Sequence, residues 1–122
     1  MGIDIDMPLT QGACIRLKSE MRVYYGPSPQ TVLSDFSVDL STGGLYLKTD
    51  IPLGIGDDLM LTFSLPGQEK KSVSCGARVA WVNQELNPLK PELPPGVGVQ
   101  FIDLAPEDLA SIASCLDIEA IW

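Results

Sequence analysis

Residues 15 to 24 alternate between apolar or small side chains (Ile15, Leu17, Ser19, Met21, Val23) and charged or aromatic ones (Arg16, Lys18, Glu20, Arg22, Tyr24). A period of two is that of a strand with one buried face. Gly26-Pro27-Ser28-Pro29 interrupts the run, and alternation resumes from Thr31 to Leu40 through Val32, Ser34, Phe36, Val38 and Leu40. The two runs with their short connection predict a hairpin. Its return strand ends at a polar turn, Asp39-Leu40-Ser41-Thr42-Gly43-Gly44, which abuts a short third strand marked by Leu45, Leu47 and Thr49.

Pro52-Leu53-Gly54-Ile55-Gly56 is a turn cluster, after which Leu59, Leu61, Phe63 and Leu65 mark a fourth strand closed by Pro66-Gly67. A long fifth strand is predicted from Ser72 to Asn83, with Val73, Cys75, Ala77, Val79 and Trp81 facing inward and Trp81 in the core at the rim. Gly76 lies on the opposite set and predicts a bulge or bend there. Asn87 to Pro95 carries four prolines and reads as an irregular loop. Val97, Val99 and Phe101 form a sixth strand. Pro106-Glu107-Asp108 opens a helix, with proline at its first position and acids where they complement the dipole. Leu109, Ile112, Ala113 and Leu116 give that helix one apolar stripe.

Short antiparallel strands followed by one amphipathic helix predict a mainly β fold, a six-stranded antiparallel β-barrel whose open side the helix covers. Residues 14–117 are expected to form the barrel domain, with a flexible segment over 1–13 and a tail over 118–122. At 122 residues and 45% hydrophobic composition, one domain can bury a core without disulfides or metal.

The net charge of −8 disfavours nucleic acid and anionic bilayers as partners, since both reward clustered Lys and Arg. Cys14, Cys75 and Cys115 are widely spaced and there is no histidine, which excludes a structural zinc set. Buried cysteines suit a reducing cytosol, and a cytoplasmic location is expected. The N-terminus lacks the basic and long apolar regions of a signal peptide, Asp6 stands where a myristoylation signal needs Ser or Thr, and no segment is long enough to span a membrane. An enzyme is not expected: no serine or cysteine has a general-base partner, and Asp57, Asp58, Glu107 and Asp108 read as turn and helix-start residues. Gly54-x-Gly56 and Gly96-x-Gly98 lack the helix, lysine or third glycine of a phosphate loop.

Asp39-x-Ser41-x-x-Gly44 resembles the D/N-x-S-x-x-G signature of PilZ domains, which are receptors for cyclic di-GMP. The surrounding order is similar too: turn, strand, Pro-Gly loop, a Val-rich strand ending Arg78-Val79-Ala80-Trp81-Val82-Asn83, then Gly96-Val97-Gly98-Val99-Gln100-Phe101 and the Pro-Glu-Asp helix start. The resemblance spans residues 14 to 116 and implies the PilZ barrel. A receptor for this ligand needs guanidinium donors for phosphate and guanine O6/N7, and an acceptor for the guanine N1 and N2 donors. PilZ domains draw the donors from an R-x-x-x-R segment before the first strand and the rest from the D/N-x-S-x-x-G turn.

The resemblance implies a ligand set of Arg16, Asp39, Ser41 and Gly44, supplemented from Lys18, Arg22 and Arg78. Arg16 falls at the second arginine of R-x-x-x-R, and Gly12 stands where the first belongs. A shifted register would make Lys18-x-x-x-Arg22 the motif, inside the alternating strand. The turn residues also have a plain reading as a tight connection, Asp and Ser bonding local amides while glycine takes a positive φ. Arg16, Lys18 and Arg22 beside Glu20 also read as the solvated face of a strand.

Two functions follow. The first is a cyclic di-GMP receptor that orders its N-terminal segment on binding and relays second-messenger level to a protein partner in motility, pilus or exopolysaccharide control. The second is a degenerate PilZ module that binds no nucleotide and acts as a protein-interaction adaptor. No cofactor is expected, and the oligomer is a monomer or homodimer, with Ile118, Ile121 and Trp122 as a candidate partner surface.

Overall fold

The computed structural model describes residues 17–27 and 32–121, without the side chains of 68–70 and 117–121. Arg16, Gly12, Cys14 and Trp122, the side chains of Ile118 and Ile121, and the whole segment 1–13 therefore lie outside the described residues.

Among the described residues, seven strands precede one helix: β1 Leu17–Lys18, β2 Arg22–Gly26, β3 Leu33–Leu40, β4 Gly44–Lys48, β5 Asp58–Leu65, β6 Gln68–Asn83, β7 Gly96–Phe101 and α1 Pro106–Ile121. The sheet runs β1-β3-β2-β5-β6-β7-β4, and β4 also pairs with β3. That last ladder closes β2 to β7 into a six-stranded antiparallel barrel, with β1 as an extra short strand beside β3. Both β1 and β2 pair with β3, so the run read as one strand over 15–24 is split in two. The split is bridged by Ser37, whose buried hydroxyl accepts from the Met21 amide at 3.0 Å and donates to the Ser19 carbonyl at 2.6 Å. The inward set keeps its phase across the break, with Met21, Val23 and Tyr25 in the barrel interior.

Two bulges move side chains from the faces that simple alternation assigns. In β3 the register against β4 shifts between Ser37 and Asp39, making Val38 the extra residue. Ser37 therefore faces inward with Leu47, Phe36 points outward, and Leu40 returns to the core. In β6 the register against β7 shifts between Val79 and Trp81, so that Val82 pairs with Val97 and packs on the core. Trp81 is thereby turned out of the barrel interior, which corrects its assignment to the core. Gly76 is no bulge. It pairs regularly with Met60, and its bare Cα makes room for Asp103, whose carboxylate accepts the Gly76 amide.

Helix α1 closes one end of the barrel with Ile112, Cys115 and Leu116, all nearly inaccessible. Leu109, expected in that stripe, is 43% exposed on the first turn, where Asp108 pairs with Lys71 at 3.8 Å. The helix continues to Ile121, through most of the span read as a tail. Cys75 and Cys115 are buried. Burial first, then the Asp103 and Asp108 carboxylates, push the Cys75 thiol up to about 12. No described helix is long and apolar enough to cross a membrane.

Candidate functional site

The register of five strands lays one row of residues across the outside of the barrel. Lys18 pairs with Asp39, Asp39 with Tyr46, Tyr46 with Gly98, and Gly98 with Trp81. The bulges at Val38 and Ala80 put Asp39 and Trp81 in this row. Without the first, Asp39 would not lie opposite Tyr46; without the second, Trp81 would point inward.

At one end of the row, exposed Lys18 stands beside half-buried Asp39. Asp39 Oδ1 accepts the Tyr46 amide at 3.2 Å, which fixes the carboxylate at the start of the turn. The turn itself is held by Ser41. Its hydroxyl, 1% exposed, accepts from the amides of Gly43 and Gly44 at 3.2 Å each and lies 3.2 Å from the Gly44 carbonyl, while the Ser41 amide donates to that carbonyl at 2.9 Å. Gly44 is required by the sheet: a Cβ there would lie 1.9 Å from the Val99 carbonyl oxygen of β7. What approaches its bare Cα is the neighbouring strand. Neither Gly43 nor Gly44 has a positive φ; among the described glycines only Gly56 and Gly67 do.

At the other end, Trp81 lies over Gly98 and stacks on Tyr46 with ring centroids 5.2 Å apart. The Tyr46 hydroxyl donates to the Pro94 carbonyl at 2.6 Å. Burial, with the Asp39 carboxylate adding to it, holds the Tyr46 phenol above its ordinary pKa and keeps it a donor. The loop between β6 and β7 is pinned by buried Asn83, which receives the Lys90 amide at 2.8 Å and donates to the Lys90 carbonyl at 2.9 Å. Lys90 Nζ sits 5.5 Å from the Trp81 ring centre, within cation–π range. Trp81, Tyr46 and Lys90 were absent from the sequence-derived ligand set. A β-bulge leaves no mark in a run as uniform as Val79-Ala80-Trp81-Val82, so the sequence carried no signal for Trp81 on this face.

The remaining candidates divide. Arg78 pairs across β7 with Gln100, itself the partner of Gly44, so it shares the face, but its guanidinium bonds Asp58 at 2.9 Å. Arg22 lies further along the barrel, over the Phe36 ring at 4.6 Å and bonded to Ser34 Oγ at 3.2 Å. Lys18 is thus brought beside Asp39, Arg78 stands near Gly44 but engaged, and Arg22 is elsewhere. No group of three or more potential metal ligands occurs among the described residues.

The PilZ domain family model matches residues 11–117. The chain belongs to the PilZ domain family. PilZ domains are non-enzymatic ligand-binding receptors, and the turn of this one carries the family's signature at Asp39, Ser41 and Gly44. Solved structures with the same fold include Bacillus subtilis MotI/DgrA, an inhibitor of motility, at a TM-score of 0.74 and 15% identity over 93% of this chain. The PilZ chain spans about half, 53%, of that structure. The PilZ domain of Escherichia coli YcgR, solved with c-di-GMP, matches at 0.63 and 16% identity, over 91% of this chain and 95% of that one. The PilZ domain of CeSA from a cellulose-synthesizing bacterium matches at 0.53 and 16% identity, over 83% and 93%. No curated protein matches the chain.

Proposed function

We propose that this PilZ domain is a bacterial, cytoplasmic receptor for cyclic di-GMP that relays the level of the messenger to a protein partner. The observation that carries the reading is the row from Lys18 and Asp39 to Trp81. It joins a cation, a fixed carboxylate and an aromatic surface on one outer face, the set a purine dinucleotide needs. Asp39 accepts from a guanine edge, Arg16 with Lys18 meets phosphate and guanine, and Trp81 offers a stacking surface. Gly44 and the Ser41 hydroxyl hold the turn, so Ser41 serves the site through the backbone it positions. Arg78 and Arg22 join only by leaving Asp58 and Phe36. The PilZ domain of YcgR with its bound c-di-GMP supports the ligand, and MotI/DgrA supports motility as the controlled process.

Gly12 at the first arginine of the family pattern favours a second reading, an adaptor that no longer binds nucleotide. Titration calorimetry of cyclic di-GMP into the wild-type domain and Arg16→Ala separates the two. Micromolar or tighter binding lost in Arg16→Ala supports the receptor; no heat at high ligand concentration leaves the adaptor.

A further inference from the structure

We propose that Lys90 is a phosphate-binding residue of this site, supplying the cationic contact that Gly12 withholds. The inference rests on the receptor reading and names one more residue of the same face.

A ligand with two phosphates in a domain of net charge −8 needs a local gathering of cations, and the arginine pair of the family pattern is one short. Among the described basic residues, Lys71 and Arg78 are taken up by Asp108 and Asp58, and Arg22 by Phe36 and Ser34, while exposed Lys48 pairs with Phe36 and Gly96, outside the row. Lys90 is exposed and makes no ion pair among the described residues; its ammonium rests against the Trp81 ring. That contact is weak at an exposed site, so a phosphate displaces it readily.

What distinguishes Lys90 from an ordinary loop lysine is its backbone. Asn83, 2% exposed, holds both the amide and the carbonyl of Lys90, and the Tyr46 hydroxyl holds Pro94 beyond it. The main chain is therefore fixed while the side chain stays free to choose a partner. Preorganisation of this kind lowers the ordering cost of a charged contact. With strands about 4.8 Å apart, Asp39 and Trp81 stand about 14 Å from each other, and Lys18 and Lys90 place one cation at each end of that span. A dinucleotide laid along the row has a carboxylate for one guanine, an indole for the other, and a lysine near each phosphate.

Calorimetry of cyclic di-GMP on the whole domain, comparing wild type, Lys90→Met and Lys90→Arg, tests this. Lys90→Met is expected to keep the wild-type melting temperature and to bind about tenfold more weakly, with Lys90→Arg restoring most of the loss. The gap is expected to narrow in 1 M salt, where screening acts within about 3 Å. Wild-type binding that Lys90→Met leaves unchanged overturns the role of Lys90 and spares the receptor. Absence of wild-type binding removes the receptor reading, and this inference with it.

Discussion

Trp81 lies so closely over Gly98 that a methyl group there would sit 1.9 Å from the indole Nε1. The glycine is a seat for the ring, and the ring is one end of the ligand row. Gly98→Ala is expected to lift Trp81 from the sheet, cost about 1–3 kcal/mol, and weaken nucleotide binding together with stability. Urea denaturation followed by tryptophan fluorescence checks the first effect and calorimetry the second.

The two glycines of the signature turn differ. A Cβ at Gly44 would meet the Val99 carbonyl oxygen at 1.9 Å, whereas one at Gly43 finds nothing nearer than Ser41 Oγ at 3.9 Å. Gly44→Ala is expected to force β4 from β7 and destabilise by about 3 kcal/mol or more, and Gly43→Ala to stay within about 0.5 kcal/mol of wild type. Thermal melts of the two variants decide.

Ser41 and Asp39 should separate in the same way. Ser41→Ala removes the acceptor of the Gly43 and Gly44 amides, the second of them buried, and is expected to cost about 1–3 kcal/mol before any ligand is added. Asp39→Asn keeps an oxygen for the Tyr46 amide while removing the charge. It is expected to melt near wild type and to bind cyclic di-GMP at least about tenfold more weakly. Parallel melting and binding curves distinguish a residue that holds the turn from one that meets ligand.

Alkali should unfold the domain through two buried acids. The Tyr25 hydroxyl lies 2.7 Å from both Asp35 Oδ2 and Thr49 Oγ1, and burial with the Asp35 contact pushes it from 10.0 up to about 12. Cys75 is pushed from 9.0 to about 12. A folded-state pKa above the unfolded one means that the native protein holds its proton longer. The stability these groups give is complete below pH 9, falls from pH 9 as Cys75 and from pH 10 as Tyr25 titrate in the unfolded chain, and is gone by about pH 12. Urea midpoints between pH 8 and 11 should fall with this profile, and less steeply in Tyr25→Phe.

Much of the fold was legible because period-two alternation reports burial directly. The inward phase of Met21 and Val23, the Leu59 to Leu65 strand and the proline-led helix all stand where the pattern puts them. The ordered motifs around Asp39, Ser41 and Gly44 also sufficed to place the chain in its family. The misplaced faces share a cause. Val38 and Ala80 are ordinary strand residues by composition, yet each is extra in its ladder, and an extra residue reverses the face of everything after it. For that reason Trp81 reads as core in the sequence and is found outside. Lys90 was hidden differently: its placement depends on Asn83, a contact between a strand end and a proline-rich loop that no local periodicity encodes.

The central claim is a location, the outer row from Lys18 to Trp81. Amide and indole chemical-shift mapping of the isotopically labelled domain with cyclic di-GMP tests it most directly. The account predicts ligand-dependent shifts at Lys18, Asp39, Tyr46 and Gly98 and at the Trp81 indole, with the Tyr24, Thr62 and Ser74 side of the barrel unmoved. Shifts confined to that opposite side, or none at saturating nucleotide, would contradict it.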